Sequence, residues 1–164
     1  VTTDPASLAA TASILRRLSG SITAMSESIA AASDADNHQL PVSARRAARD
    51  LGAAGAELAT ITAALEEQVT RAAYQHAQRM HQARMLTDAA TAAGLVVIDG
   101  AVEILPGIRG VADPAAVALR TEALGTLQDQ AAGLTQAAAT EDAALHDILG
   151  DIAASAMHLA DRLR

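Results

Sequence analysis

Asp4-Pro5-Ala6-Ser7-Leu8-Ala9-Ala10-Thr11-Ala12-Ser13-Ile14-Leu15-Arg16-Arg17-Leu18-Ser19-Gly20-Ser21-Ile22-Thr23-Ala24-Met25-Ser26-Glu27-Ser28-Ile29 is the stretch that decides the fold. Leu8, Thr11, Leu15, Leu18, Ile22, Met25, Ile29 and Ala32 recur alternately three and four residues apart. That rhythm is the seam of a helix in left-handed packing, sustained over about four heptads. Asp4-Pro5 opens it, because an acceptor side chain followed by Pro at the first helical position is a helix start. The spacing predicts a helix from about Pro5 to Ser33.

Outward from this helix, 33–41 reads Ser-Asp-Ala-Asp-Asn-His-Gln-Leu-Pro, a run of turn formers closed by Pro. A short polar connection between amphipathic helices implies an antiparallel hairpin. The second helix is expected from a Ser43 cap to about Ala93. Its seam runs through Ala47, Leu51, Ala54, Leu58, Ile61, Leu65, Val69, Ala73, His76, Met80 and Ala83. Leu15, Leu18 and Ile22 are expected to be buried against Leu58, Ile61 and Leu65. A second helix this long outruns the first, so Val69, Met80 and Leu86 need a further packing surface.

Residues 94–112 break the helical pattern and form the connector. Leu95-Val96-Val97-Ile98-Asp99-Gly100-Ala101-Val102-Glu103-Ile104 sets β-branched runs on both sides of Asp-Gly, the mark of a two-residue hairpin turn. A helix extension or an apolar loop packed on the bundle is the plainer alternative over 95–105. A second Asp-Pro, Asp113-Pro114, opens a third helix with Val117, Leu124, Leu127, Ala131 and Leu134, and Thr140 caps a fourth with Leu145, Leu149, Ile152, Ala156, Leu159 and Leu163. The expected fold is all-α: elongated antiparallel helical hairpins or a four-helix bundle in one domain over 1–164. Its parts are a hairpin over 4–93, the connector 94–112 and a hairpin over 113–164.

Composition narrows the function. The chain has 164 residues, of which about a quarter are Ala, with no Cys, Trp, Phe or Lys. The absence of Cys removes disulfides, zinc–thiolate sites and thiol catalysis. The absence of Lys removes the phosphate-binding loop, which requires one. A net charge of −7 argues against coating a nucleic acid. No apolar run reaches the ~18 residues of a membrane span. No Gly-x-Ser-x-Gly and no Glu-x-x-His occurs, so neither a nucleophile elbow nor a di-iron carboxylate bundle is indicated. Low aromatic content argues against a deep small-molecule pocket. The expected protein is therefore not an enzyme, has no cofactor and spans no membrane. The rich use of Ala, Arg and Gly beside a single Asn matches a GC-rich genome. Val1-Thr2-Thr3-Asp4-Pro5 lacks the charged start of a signal peptide. The expected location is cytoplasmic, or exported without a cleavable signal.

One cluster carries candidate chemistry. His76 with Met80, and His81 with Met85, stand four residues apart on shared helix faces. Imidazole with thioether suits a soft metal ion such as Cu(I). His76 and His81 lie about 140° apart around the helix, so they serve different sites unless another helix contributes. In the plainer reading His76 and Met80 belong to the core seam. Glu67 and Arg71 make an ordinary surface pair.

The first hairpin, with Asp4-Pro5-Ala6-Ser7-Leu8 leading to Ile14-Leu15-Arg16-Arg17-Leu18, resembles the small Trp-x-Gly helical hairpins and the N-terminal targeting domains of actinobacterial type VII (ESX) secretion. The resemblance spans residues 4–93. It implies a helix–turn–helix that pairs with a similar chain and serves as a secreted partner, adaptor or effector domain. This chain places Asn37-His38-Gln39-Leu40 where the Trp-x-Gly turn would lie, and Gln78 four residues after Tyr74, where the family's secretion motif has an acid. The expected function is a non-enzymatic helical interaction protein that binds a helical partner or itself. The alternative is a soft-metal or small-ligand-binding four-helix bundle using His76, Met80, His81 and Met85.

Overall fold

The computed structural model describes residues 5–34, 41–104 and 114–164. The Asp4 and Asp113 caps, the 35–40 turn and Pro106, Gly107 and Gly110 lie outside them. In chain order the elements are α1 (Pro5–Asp34), α2 (Val42–Ala92), β1 (Leu95–Ile98), β2 (Ala101–Ile104) and α3 (Pro114–Arg162). The fold is helical with one small antiparallel sheet.

The predicted fourth helix does not exist as a separate element. α3 runs unbroken through Thr140. The Thr140 hydroxyl, expected to cap a new helix, instead donates to the Gln136 carbonyl one turn back at 2.9 Å. Threonine inside a helix commonly satisfies itself in this way. The half-buried row of α3 also passes the site in phase, through Leu134, Ala138, Glu141, Leu145 and Ile148. Nothing in the packing calls for a break, and Ala137-Ala138-Ala139 favours continuation.

Ser43 does not cap α2 either. The Pro41 carbonyl accepts from the Ala44 and Arg45 amides at 3.0 and 3.1 Å, which puts Ser43 inside the first turn. The other end of α2 closes on Gly94, whose φ of +68° is the left-handed conformation that glycine adopts without steric cost.

Of the readings open at 95–105, the structure has the hairpin. Leu95 pairs with Ile104, Val96 with Glu103, Val97 with Val102 and Ile98 with Ala101. Asp99 and Gly100 turn the chain with φ of +51° and +82°, as the hairpin turn of this handedness requires.

The chain packs as two compact units. One comprises residues 1–74 and 145–164, the other 75–144. In the first, α1 and α2 are antiparallel: Arg16 pairs with Glu66, the Ser19 hydroxyl donates to Ala59 O at 3.1 Å, and the Ser26 hydroxyl donates to Gly52 O. Arg162 of α3 pairs with Glu57 of α2 at 2.8 Å. In the second unit, Leu86, Ala90, Leu95, Val102, Leu127 and Ala131 form the core. The otherwise marginal two-stranded hairpin is held there by two of its own side chains.

The buried row of α1 differs from the expected seam by one residue at every second site. Ala12, Ser19 and Ser26 turn inward with Leu8, Leu15, Ile22 and Ile29, while Thr11, Leu18 and Met25 face outward. On α2 the corresponding row is Gly52, Gly55, Ala59 and Thr62. Leu58 is therefore outside, Ile61 and Leu65 are half-buried, and the expected burial holds in full only for Ile22. The cause is close approach. A methyl group at Gly55 would come within 3.1 Å of the Ser26 side chain. Backbones this near leave no room for Leu18 or Met25, and the serine hydroxyls spend their hydrogen bonds on the facing carbonyls.

Candidate functional site

Displacing Leu18 and Met25 from the seam creates a surface. Ile14, Leu18 and Met25 on α1 are 57%, 49% and 60% exposed, and Leu51 and Leu58 on α2 are 54% and 42% exposed. Leu18 and Met25 each precede an inward serine by one residue. Leu51 and Leu58 precede Gly52 and Ala59 in the same way. Both rows are thus rotated from the contact by about 100° in the same sense. In an antiparallel pair, equal rotations emerge on the same side. The five side chains accordingly form one apolar face along the α1–α2 hairpin. Together they present on the order of 500 Å² of apolar surface, a size at which a patch on a single chain commonly has a function.

The second unit has an open groove of about 550 Å³ lined by His81, Met85 and Leu86 of α2 and by Gln130, Gly133 and Leu134 of α3. His81 and Met85, predicted as one pair, share this groove. His76 and Met80 do not line it: His76 is half-buried and Met80 is 46% exposed. Met80 thus does not occupy the core seam. No group of three or more His, Asp or Glu among the described residues is placed to hold a metal ion.

Arg79 takes the inward position expected for Met80. Its guanidinium lies 3.2 Å from Asp142, 3.4 Å from Glu141 and 3.4 Å from the Ala138 carbonyl. One oxygen of Glu141, Oε2, is buried and has no hydrogen bond, only this ion pair. The sequence pattern gives no warning of the cluster, because Thr140 reads as the cap of a new helix that would begin at Glu141. The signal that could have found it is that position 141 continues the three-four spacing of Leu134 and Ala138. A charged layer in an apolar seam fixes register more than it adds stability. Arg79→Ala is expected to cost about 1–3 kcal/mol in urea unfolding by stranding Glu141. Arg79→Leu combined with Glu141→Leu should recover that loss.

Glu67 and Arg71 form the expected exposed pair at 2.8 Å. No helix among the described residues is long and apolar enough to cross a membrane. Comparison with protein families, with characterised proteins and with solved structures finds no match to the chain.

Proposed function

We propose that this chain is a non-enzymatic helical interaction protein whose partner is an amphipathic helix, or pair of helices, laid along the α1–α2 face. The observation that carries this reading is the alignment of Ile14, Leu18, Met25, Leu51 and Leu58, each between 42% and 60% exposed, on one side of a single hairpin. A helix presenting side chains at three- and four-residue intervals is the element that matches two parallel apolar rows. The rows run along the hairpin and are not closed at their ends like a pocket, which favours an elongated partner over a small ligand. The setting we propose is type VII secretion, as partner, adaptor or secreted effector domain. Its support is the resemblance over residues 4–93 and the antiparallel pairing of α1 with α2 across that region.

The test is a paired variant, Leu18→Glu with Leu58→Glu. Both side chains are about half exposed, so the helical circular dichroism and melting temperature are expected to stay near those of the parent. Co-purification from the native cell, read by mass spectrometry, is expected to recover a helical protein with the parent chain and to lose it with the variant. Recovery of the same proteins by both, or of no helical partner by the parent, would overturn the reading.

A further inference from the structure

We infer that the side of the α1–α2 hairpin away from the apolar face binds an alkylammonium group, carried by a free aliphatic amine or by a lysine side chain of another protein. The inference uses different residues from the apolar face and does not depend on it. A groove of about 350 Å³ runs between the two helices on this side. Its residues follow the inward row by one position: Thr23 after Ile22, Glu27 after Ser26 and Thr60 after Ala59. Leu18, Met25 and Leu58 precede that row by one. The groove and the apolar face are therefore turned from the contact in opposite senses.

Every hydroxyl in the groove has already given its proton. Ser19 donates to the Ala59 carbonyl at 3.1 Å and Ser26 to the Gly52 carbonyl. Thr23 donates to the Ser19 carbonyl and Thr60 to the Ala56 carbonyl, each at 3.0 Å. A hydroxyl has one hydrogen and two lone pairs, so all four present only acceptor oxygens to the groove. The backbone amides of this stretch are spent inside α1 and α2. The Glu27 carboxylate, another lining group, also only accepts. Among the described residues no ion pair engages it.

A lining that accepts throughout and donates nowhere selects a ligand that is all donor. An ammonium has three N–H donors and no acceptor, and its hydrogen bond to Glu27 is charge-assisted. The acceptors stand on both walls, which suits the rotatable donors of an ammonium better than the flat fork of a guanidinium. Between the oxygens, Ala56 and Ala63 offer methyl groups against which an aliphatic stem can lie. Ser19 and Glu27 are eight residues apart, about 12 Å at 1.5 Å per residue. With the ammonium at Glu27 and Thr23, the oxygens of Ser19 and Thr60 are left for a second N–H, either the far amine of a diamine or the backbone amide of a lysine. The chain has no Lys, so no side chain of a second copy supplies the group. Its net charge of −7 favours the approach of a cation.

The test is a nuclear magnetic resonance titration of the full chain with cadaverine and, separately, with Nα-acetyl-lysinamide. Saturable shifts are expected at the amides of Thr23, Glu27 and Thr60. Glu27→Gln should weaken binding by about tenfold or more, and Thr60→Val severalfold, with unchanged helical circular dichroism because both positions are exposed. Tighter binding of cadaverine assigns the groove to a free amine, and tighter binding of the lysinamide assigns it to a lysine of another protein. The Leu18→Glu, Leu58→Glu pair should leave both affinities unchanged, which separates this site from the helical face. The same shifts with sodium chloride at matched ionic strength, equal affinity in Glu27→Gln, or tighter binding of butylguanidinium than of butylammonium overturns the inference.

Discussion

Ile22→Ala is expected to lower the free energy of unfolding by about 2–4 kcal/mol, while Leu18→Ala, four residues away, costs less than about 1 kcal/mol. Ile22 is 8% exposed, at the level of the serine hydroxyls that bridge α1 and α2. Removing its branched side chain leaves a space that these closely spaced backbones cannot collapse to fill. Leu18 is 49% exposed, so its truncation takes away surface that water already reaches. Urea titration of both variants reads the difference. Equal losses would mean that the outward row is packed and the apolar face does not exist.

Leu95→Ala is expected to have an effect of similar size, about 2–4 kcal/mol, in the other unit. Leu95 is 4% exposed and packs with Leu86, Ala90, Val102, Leu127 and Ala131. Its loss should act on the hairpin first, because β1 and β2 have no independent stability. Amide hydrogen exchange is expected to accelerate at Val96 and Glu103, whose amides carry the ladder, well before it changes in α1. Uniform acceleration along the whole chain would show that the two units unfold together.

Much of the fold was legible in the sequence, and the places where it was not share a physical cause. Asp99-Gly100 marked a hairpin turn through the conformations those residues tolerate, and Gly94 sits at the end of α2, where a left-handed residue is needed. Helical spacing along α1 and α2 is a property of the chain alone. The rotation of each helix about its axis is a property of the pair. Leu18 and Ser19, like Met25 and Ser26, satisfy the same three-four rhythm, and size alone favours the larger. Gly52 and Gly55 decide otherwise from the opposite helix, where they read in isolation only as weak helix formers. The same holds for Arg79, which became an inward residue because Glu141 and Asp142 stand across from it. The Thr140 cap failed differently: a threonine followed by acids signals a start only where the preceding residues are not already helical. The candidate site suffered most, because an apolar face made mostly of seam residues, Leu18, Met25, Leu51 and Leu58, cannot be read until the core is known.

The glycine–serine contact between α1 and α2 also bears on heat. Where the joint is made by close backbones and serine hydroxyls, at Ser19–Ala59 and Ser26–Gly52, it releases less apolar area on opening than a contact between two large side chains, and the heat capacity of unfolding follows apolar area. The α1–α2 joint should therefore contribute less than the usual ~12–15 cal/mol/K per residue. Its stability curve is correspondingly flatter than that of a joint with large side chains on both helices, and it weakens less on cooling.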